Sequence, residues 1–204
     1  MIKIIPEREK ILIFTQEKFF REGFNRTTIE EIARELNISK NTIYKYFPGK
    51  EELLKACIFG LIEKSKIKVD TVINSRSNAI EKLLAILGIL SNTIMNFSEK
   101  FLRDIQIQTP AIWEQIDEIR KKFMFANIMK IVEQGKKEKL FMDFPTELVL
   151  TVFVTSVRAV VNPSFLLNMN YTASDAINTT FRILIRGILT EKGYKIFNNI
   201  KSDQ

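Results

Sequence analysis

The chain has 204 residues, with 31 Lys and Arg against 24 Asp and Glu, a formal charge of +7, no His and a single Cys. Without an imidazole, Ser-His-Asp and Cys-His catalysis are excluded, and one Cys with no His offers neither a zinc ligand set nor an intramolecular disulfide. No metal or cofactor is therefore expected, while an apolar share of 46% suits a folded core.

Residues 1–6 are short and followed at once by charges, unlike the apolar core of a signal peptide. The longest uncharged runs, Leu83–Ser98 and Ala159–Ser174, hold 16 residues each and include Asn and Ser. Both fall short of a membrane span. The expectation is a soluble, cytoplasmic protein with no membrane partner.

Periodicity is helical almost throughout, and Pro6, Pro48, Pro110, Pro145 and Pro163 fall where helices should begin or end. No sustained apolar/polar alternation argues for a sheet, so the fold class is all-α. Helices are predicted near Glu7–Glu22, Ile29–Leu36, Lys40–Phe47, Lys50–Ile73, Ser77–Phe97, Glu99–Gln108, Ala111–Lys136, Thr146–Val161 and Ala173–Glu191, about nine in all. Short helices with tight turns fill residues 1–50, and long helices rich in Ile, Leu, Phe and Val fill 51–204. This predicts a small three-helix N-terminal domain and a larger helical domain, with the fourth helix crossing between them. Cys57 on that helix reads as a small buried apolar residue.

The local detail is richest between residues 28 and 47. Thr28-Ile29-Glu30-Glu31 is a capping box: the Thr28 hydroxyl can accept from the amide of Glu31, whose carboxylate can reach back to the amide of Thr28. Ile29, Ile32, Ala33 and Leu36 then form one buried stripe. Asn37, which tolerates a left-handed backbone, ends the helix, and Ser39 caps another after a turn of only a few residues. Two short helices joined so closely are the pattern of a helix-turn-helix.

With Ile43 and Phe47 turned inward, Asn41, Thr42, Tyr44 and Lys45 point largely outward, where they could reach base edges and phosphates in a major groove. Between Glu35 and Glu51 there is no acid, only Lys40, Lys45 and Lys50. A carboxylate-free stretch suits a phosphate-facing surface, and Lys50 opens the next helix, where free amides favour an anion. Taken singly, Thr28 and Ser39 are caps with or without DNA, and Tyr44 and Tyr46 could be surface aromatics. The joint pattern is what points to nucleic acid. Total charge is a poorer guide, since residues 1–55 carry 11 basic and 9 acidic side chains.

The segment ILIFTQEKFFREGFNRTTIEEIARELNISKNTIYKYFPGKEELL, from Ile11 to Leu54, resembles the DNA-binding domain of the tetracycline-repressor (TetR) family of regulators. Phe19, Gly23, Phe24, Thr27, Thr28, Ile32, Ala33, Ser39, Lys40, Thr42, Tyr44, Phe47, Lys50, Glu52 and Leu53 carry the likeness. The resemblance implies phosphate contacts from Thr28, Tyr46 and Lys50. It places Lys40, Asn41, Thr42, Tyr44 and Lys45 in or beside the major groove. Phe14 and Thr15 stand where small Ala is usual, Asn37 where Gly is common, and Asn41 where Gly or Pro often sits.

The remaining helices offer no catalytic set. Thr146–Val161 is apolar around most of its circumference, and Ile177, Phe181, Leu184 and Ile188 repeat at 4-3-4 spacing. With Phe153 and Val157 they are the predicted dimer interface, a four-helix bundle that the resemblance also implies; the alternative is that both helices are simply monomer core. Asn92, Asn96, Trp113, Phe123 and Arg158 are candidates to line a pocket for a small apolar or amphipathic ligand. Trp113 and Phe123 could equally be core, and Arg158 could instead pair with a carboxylate across a dimer.

Together these features lead to the expectation of a homodimeric repressor that binds a pseudo-palindromic operator in double-stranded DNA and is released by its ligand. The rival readings are an all-α lipid or small-molecule carrier, and a DNA-binding architectural or division-control factor.

Overall fold

The computed structural model describes residues 5–160, 162, 165 and 172–202. Val161 and Pro163, expected at a helix end, lie outside the described residues. Within them are ten helices: α1 (Glu7–Glu22), α2 (Ile29–Glu35), α3 (Lys40–Tyr46), α4 (Lys50–Ile73), α5 (Ala79–Ile94), α6 (Glu99–Gln108), α7 (Pro110–Lys137), α8 (Thr146–Val160), α9 (Ala173–Ile188) and α10 (Glu191–Ser202). The fold is all-α. The β-type pairing among the described residues is an isolated antiparallel bridge between Phe141 and Leu189. None of these helices is long and apolar enough to cross a membrane.

The tenth helix departs from the expectation of about nine. A helical pattern running to Glu191 conceals a break at Leu189, whose backbone is extended (φ −74°, ψ 139°). Thr190 then restarts the helix, its hydroxyl accepting the amide of Gly193 at 3.1 Å. Neither Gly nor Pro marks the break. An ordinary Leu is held out of the helix by pairing with a distant strand-like residue.

The chain divides into two compact units, Met1–Lys64 with Asn96–Gln115, and Ser65–Met95 with Ile116–Gln204. The expected domains, residues 1–50 and 51–204, do not coincide with these units, the first of which takes in α6 as well. In the first unit, α1–α3 and the start of α4 enclose Ile11, Phe19, Ile32, Ile43, Phe47, Leu53 and Leu54. Cys57 is buried there as expected, and burial pushes its thiol up to about 12. The α6 helix joins this unit through aromatic packing: the Phe20 ring lies 4.7 Å from Phe97 and 4.6 Å from Phe101. The Ser98 amide also donates to the Phe20 carbonyl at 2.8 Å. Ser98 in turn caps α6.

In the second unit, α9 packs on α8 and α5. Leu83, Ile128, Ile131, Leu150, Phe153, Phe181, Ile185 and Phe197 fill its core. The α7 helix ends with Lys139 in the left-handed region at φ 58°, and the Leu140 amide reaches back to the Gly135 carbonyl at 2.8 Å. Gly135 permits a close approach here, because any Cβ on it would overlap the Phe141 ring.

The residues expected to face a second copy are already used in this core. Phe153, Val157, Ile177, Phe181 and Ile188 are buried, and Leu184 packs against the same cluster. Most of their surface thus packs within their own subunit. The same two helices carry other apolar residues outward: Leu148 is 60% exposed, Val152 45% and Ile183 66%.

Candidate nucleic-acid interface

The helix-turn-helix forms from the local signals in its sequence. At Thr28 both halves of the capping box are made: its hydroxyl accepts the Glu31 amide at 3.2 Å, and its own amide donates to the Glu31 carboxylate at 2.9 Å. That amide holds the Glu31 carboxyl below its usual range. The α2 helix closes with Asn37 at φ 55°. The Ile38 amide donates to the Ala33 carbonyl at 2.9 Å and that of Asn37 to Arg34 at 3.1 Å, the paired bonds of a Schellman end. Ser39 then accepts the Thr42 amide at 3.0 Å and starts α3.

Burying Ile43 against Ile32 and Ala33 fixes which face of α3 turns outward. Asn41, Tyr44 and Lys45 are exposed, as are Thr28, Ser39 and Lys40. Thr42 is half-buried with its hydroxyl 2.9 Å from that of Ser39. The lysines are not alike. Lys40 is paired with Glu30 at 2.9 Å, which raises the lysine pKa and lowers that of the glutamate. Lys45 lies 5.6 Å from the Tyr46 ring. Lys50 reaches the Asn25 carbonyl at 3.4 Å and sits 4.3 Å over the Phe24 ring. Burial pulls the Lys50 pKa down, against the favourable charges of Asp104 and Glu31. The Tyr46 hydroxyl donates to Glu7 at 3.2 Å.

A family model described as bacterial regulatory proteins, tetR family, matches residues 15–57, which contain this whole motif. The segment that carries the helix-turn-helix is thus similar to the DNA-binding domain of the TetR family. The relatives that the chain matches over most of their length are named as HTH-type transcriptional regulators. The match extends along the chain: the HTH-type transcriptional regulator YvaF of Bacillus subtilis is 23% identical over 185 residues, covering 90% of this chain and 96% of that protein.

Two solved structures share the fold of this chain. A TetR-family transcriptional regulator from Marinobacter aquaeolei superposes with a TM-score of 0.72 at 20% identity, covering 98% of each chain. A transcriptional regulator from Saccharomonospora viridis, solved in complex with choline, also gives 0.72, at 17% identity over 90% of this chain and 98% of that one.

The five ligand candidates do not fall in one unit. Asn96 and Trp113 belong to the first, and Asn92, Phe123 and Arg158 to the second. Asn92 and Asn96 are exposed, Trp113 is half-buried, and Phe123 packs against the second core. Arg158 is engaged inside its own subunit: its Nε donates to Asp117 Oδ1 at 3.1 Å, with Nη2 on the other carboxylate oxygen. Among the described residues no group of three or more His, Cys, Asp or Glu side chains could hold a metal ion.

Three acids at the interface escape sequence reading. Glu30 and Glu7 are remote in sequence from the lysine stretch they approach, and Asp104 lies on α6. Asp104 carried one signal: it stands three residues after buried Phe101 and next to buried Ile105, at the flank of a packing face.

Proposed function

We propose that this regulator is a homodimeric repressor that binds a pseudo-palindromic operator and is released by a small apolar or amphipathic ligand. The observation that carries the DNA half of the reading is the outward face of α3. Asn41, Tyr44 and Lys45 stand exposed on a helix whose opposite side is anchored by Ile43. In a major groove these groups would meet base edges, with Thr42 beside them. Thr28, Ser39, Lys40, Tyr46 and Lys50 border that face and would position it on phosphates.

Dimerisation is supported by Leu148, Val152 and Ile183, apolar and exposed on adjacent helices. Two-fold pairing would set two α3 helices on half-sites one helical turn apart, about 34–36 Å. Ligand release is supported by analogy with the choline-bound relative. A ligand in the second unit would bias the position of α4, which runs unbroken from Lys50 to Ile73. Operator and ligand would then oppose each other reciprocally, in the cytoplasm where bacterial DNA lies.

The test begins with a duplex selected by the full chain from a random pool. Tyr44→Ala and Lys45→Ala should weaken binding to it roughly 10- to 100-fold, with little change on a scrambled duplex. Equal affinity of wild type and both variants would show that α3 does not read the sequence.

A further inference from the structure

We propose that Asp104, on α6, is a positioning residue for DNA binding that fixes the turn on which Lys50 rests. The inference rests on the reading of Lys50 as a phosphate contact. Asn25, between α1 and α2, is held from both sides through its backbone. Its amide donates to Asp104 Oδ2 at 2.7 Å, and its carbonyl accepts from the Lys50 ammonium at 3.4 Å. A carboxylate and an ammonium thus grip one residue, and each bond polarises the chain toward the other.

The approach of Asp104 is a built feature. Gly23, at φ 97°, occupies backbone space that side-chain-bearing residues rarely adopt. A Cβ there would come within 2.9 Å of Asp104 Oδ2 and 3.3 Å of the Lys100 Cβ. The glycine therefore both turns the chain out of α1 and makes room for the α6 carboxylate. Beyond it the Thr27 hydroxyl donates to the Gly23 carbonyl at 2.9 Å, closing the turn just before the Thr28 cap. Lys50 and Thr28, two candidate phosphate contacts, are consequently referenced to α6 through four residues of backbone.

A carboxylate near a DNA-facing lysine could instead act by simple repulsion of phosphate. The two roles have opposite consequences. Under positioning, Asp104→Ala loosens the turn and loses a phosphate contact, whereas Asp104→Asn keeps an oxygen acceptor for the Asn25 amide. Under repulsion, removing the charge by either substitution tightens binding.

Full-length protein should be titrated with the duplex it selects and with a scrambled duplex, across a range of salt concentrations. D104A is expected to bind both about 5- to 10-fold more weakly, with the log–log salt slope reduced by about one. D104N should stay within about twofold of wild type with an unchanged slope. Amide exchange at Asn25 should quicken in D104A and not in D104N. D104A within twofold of wild type, or D104N several-fold tighter, overturns the proposal. Because D104N is nearly isosteric, several-fold tighter binding by it overturns the proposal even if D104A is poorly folded. A wild-type chain that selects no duplex overturns the parent reading as well; a normal wild type with an unmoved D104A overturns only the role of Asp104.

Discussion

Glu30 holds the Lys40 ammonium at 2.9 Å, so the first residue of α3 carries a cation that is already partnered. The lysine stretch is free of acids in sequence but not in space. Any DNA phosphate that uses Lys40 must compete with a carboxylate supplied by α2.

Glu30→Gln should therefore raise affinity for DNA by about two- to fivefold and steepen the salt dependence by up to one in log–log slope. Fluorescence anisotropy across salt concentrations measures both. Exposed pairs contribute little to folding, so Tm should hardly move. An unchanged slope would mean that Lys40 does not meet phosphate.

The proposed dimer face makes a contrast between neighbouring residues. Ile183→Glu, on the exposed side of α9, should give a folded monomer in sedimentation experiments. Phe181→Ala, two residues away and fully buried, should instead cost about 3–5 kcal/mol of stability. A dimer that survives Ile183→Glu would place the interface elsewhere.

Arg158 and Asp117 test whether the arginine is structural. Asp117 is the more covered partner, with 17% of its side chain exposed against 39% for Arg158. Arg158→Met should destabilise the fold by about 1–3 kcal/mol by removing the ion pair to that carboxylate. Adding Asp117→Leu should recover much of the loss, and denaturant unfolding of the four proteins closes the cycle. Absence of recovery would show that Arg158 matters for something other than this pair.

Thr15 is fully buried on α1, and its hydroxyl has no hydrogen-bond partner among the described residues. Thr15→Val keeps the shape and removes the stranded polar group. The expected gain is about 1 kcal/mol, or roughly 2–4 °C in Tm for a domain of this size. A lower Tm in calorimetry would refute the assignment.

The legible parts of this molecule are those whose cause is local. Thr28 with Glu31, Asn37 and Ser39 mark helix ends within a few residues of the groups they satisfy, and each does in the structure what its pattern implies. The spacing of Ile177, Phe181, Leu184 and Ile188 correctly marks a buried face but carries no information about which helix covers it. Here α8 and α5 of the same subunit do. Leu189 leaves the helix because of Phe141, and Asn25 is fixed by Asp104. Such pairings are set by tertiary approach, and neither partner announces the other.

The bridge between Phe141 and Leu189, followed by burial of Phe197, also orders events during synthesis. All residues of the first unit have left the ribosome once Gln115 has, whereas the second core lacks a wall until Phe197 emerges. Domains tend to fold as they appear, so a competent DNA reader would form on the nascent chain well before the part that could restrain it. Under the proposed function, translation interrupted between those two points would yield a fragment able to touch DNA but unable to answer a ligand.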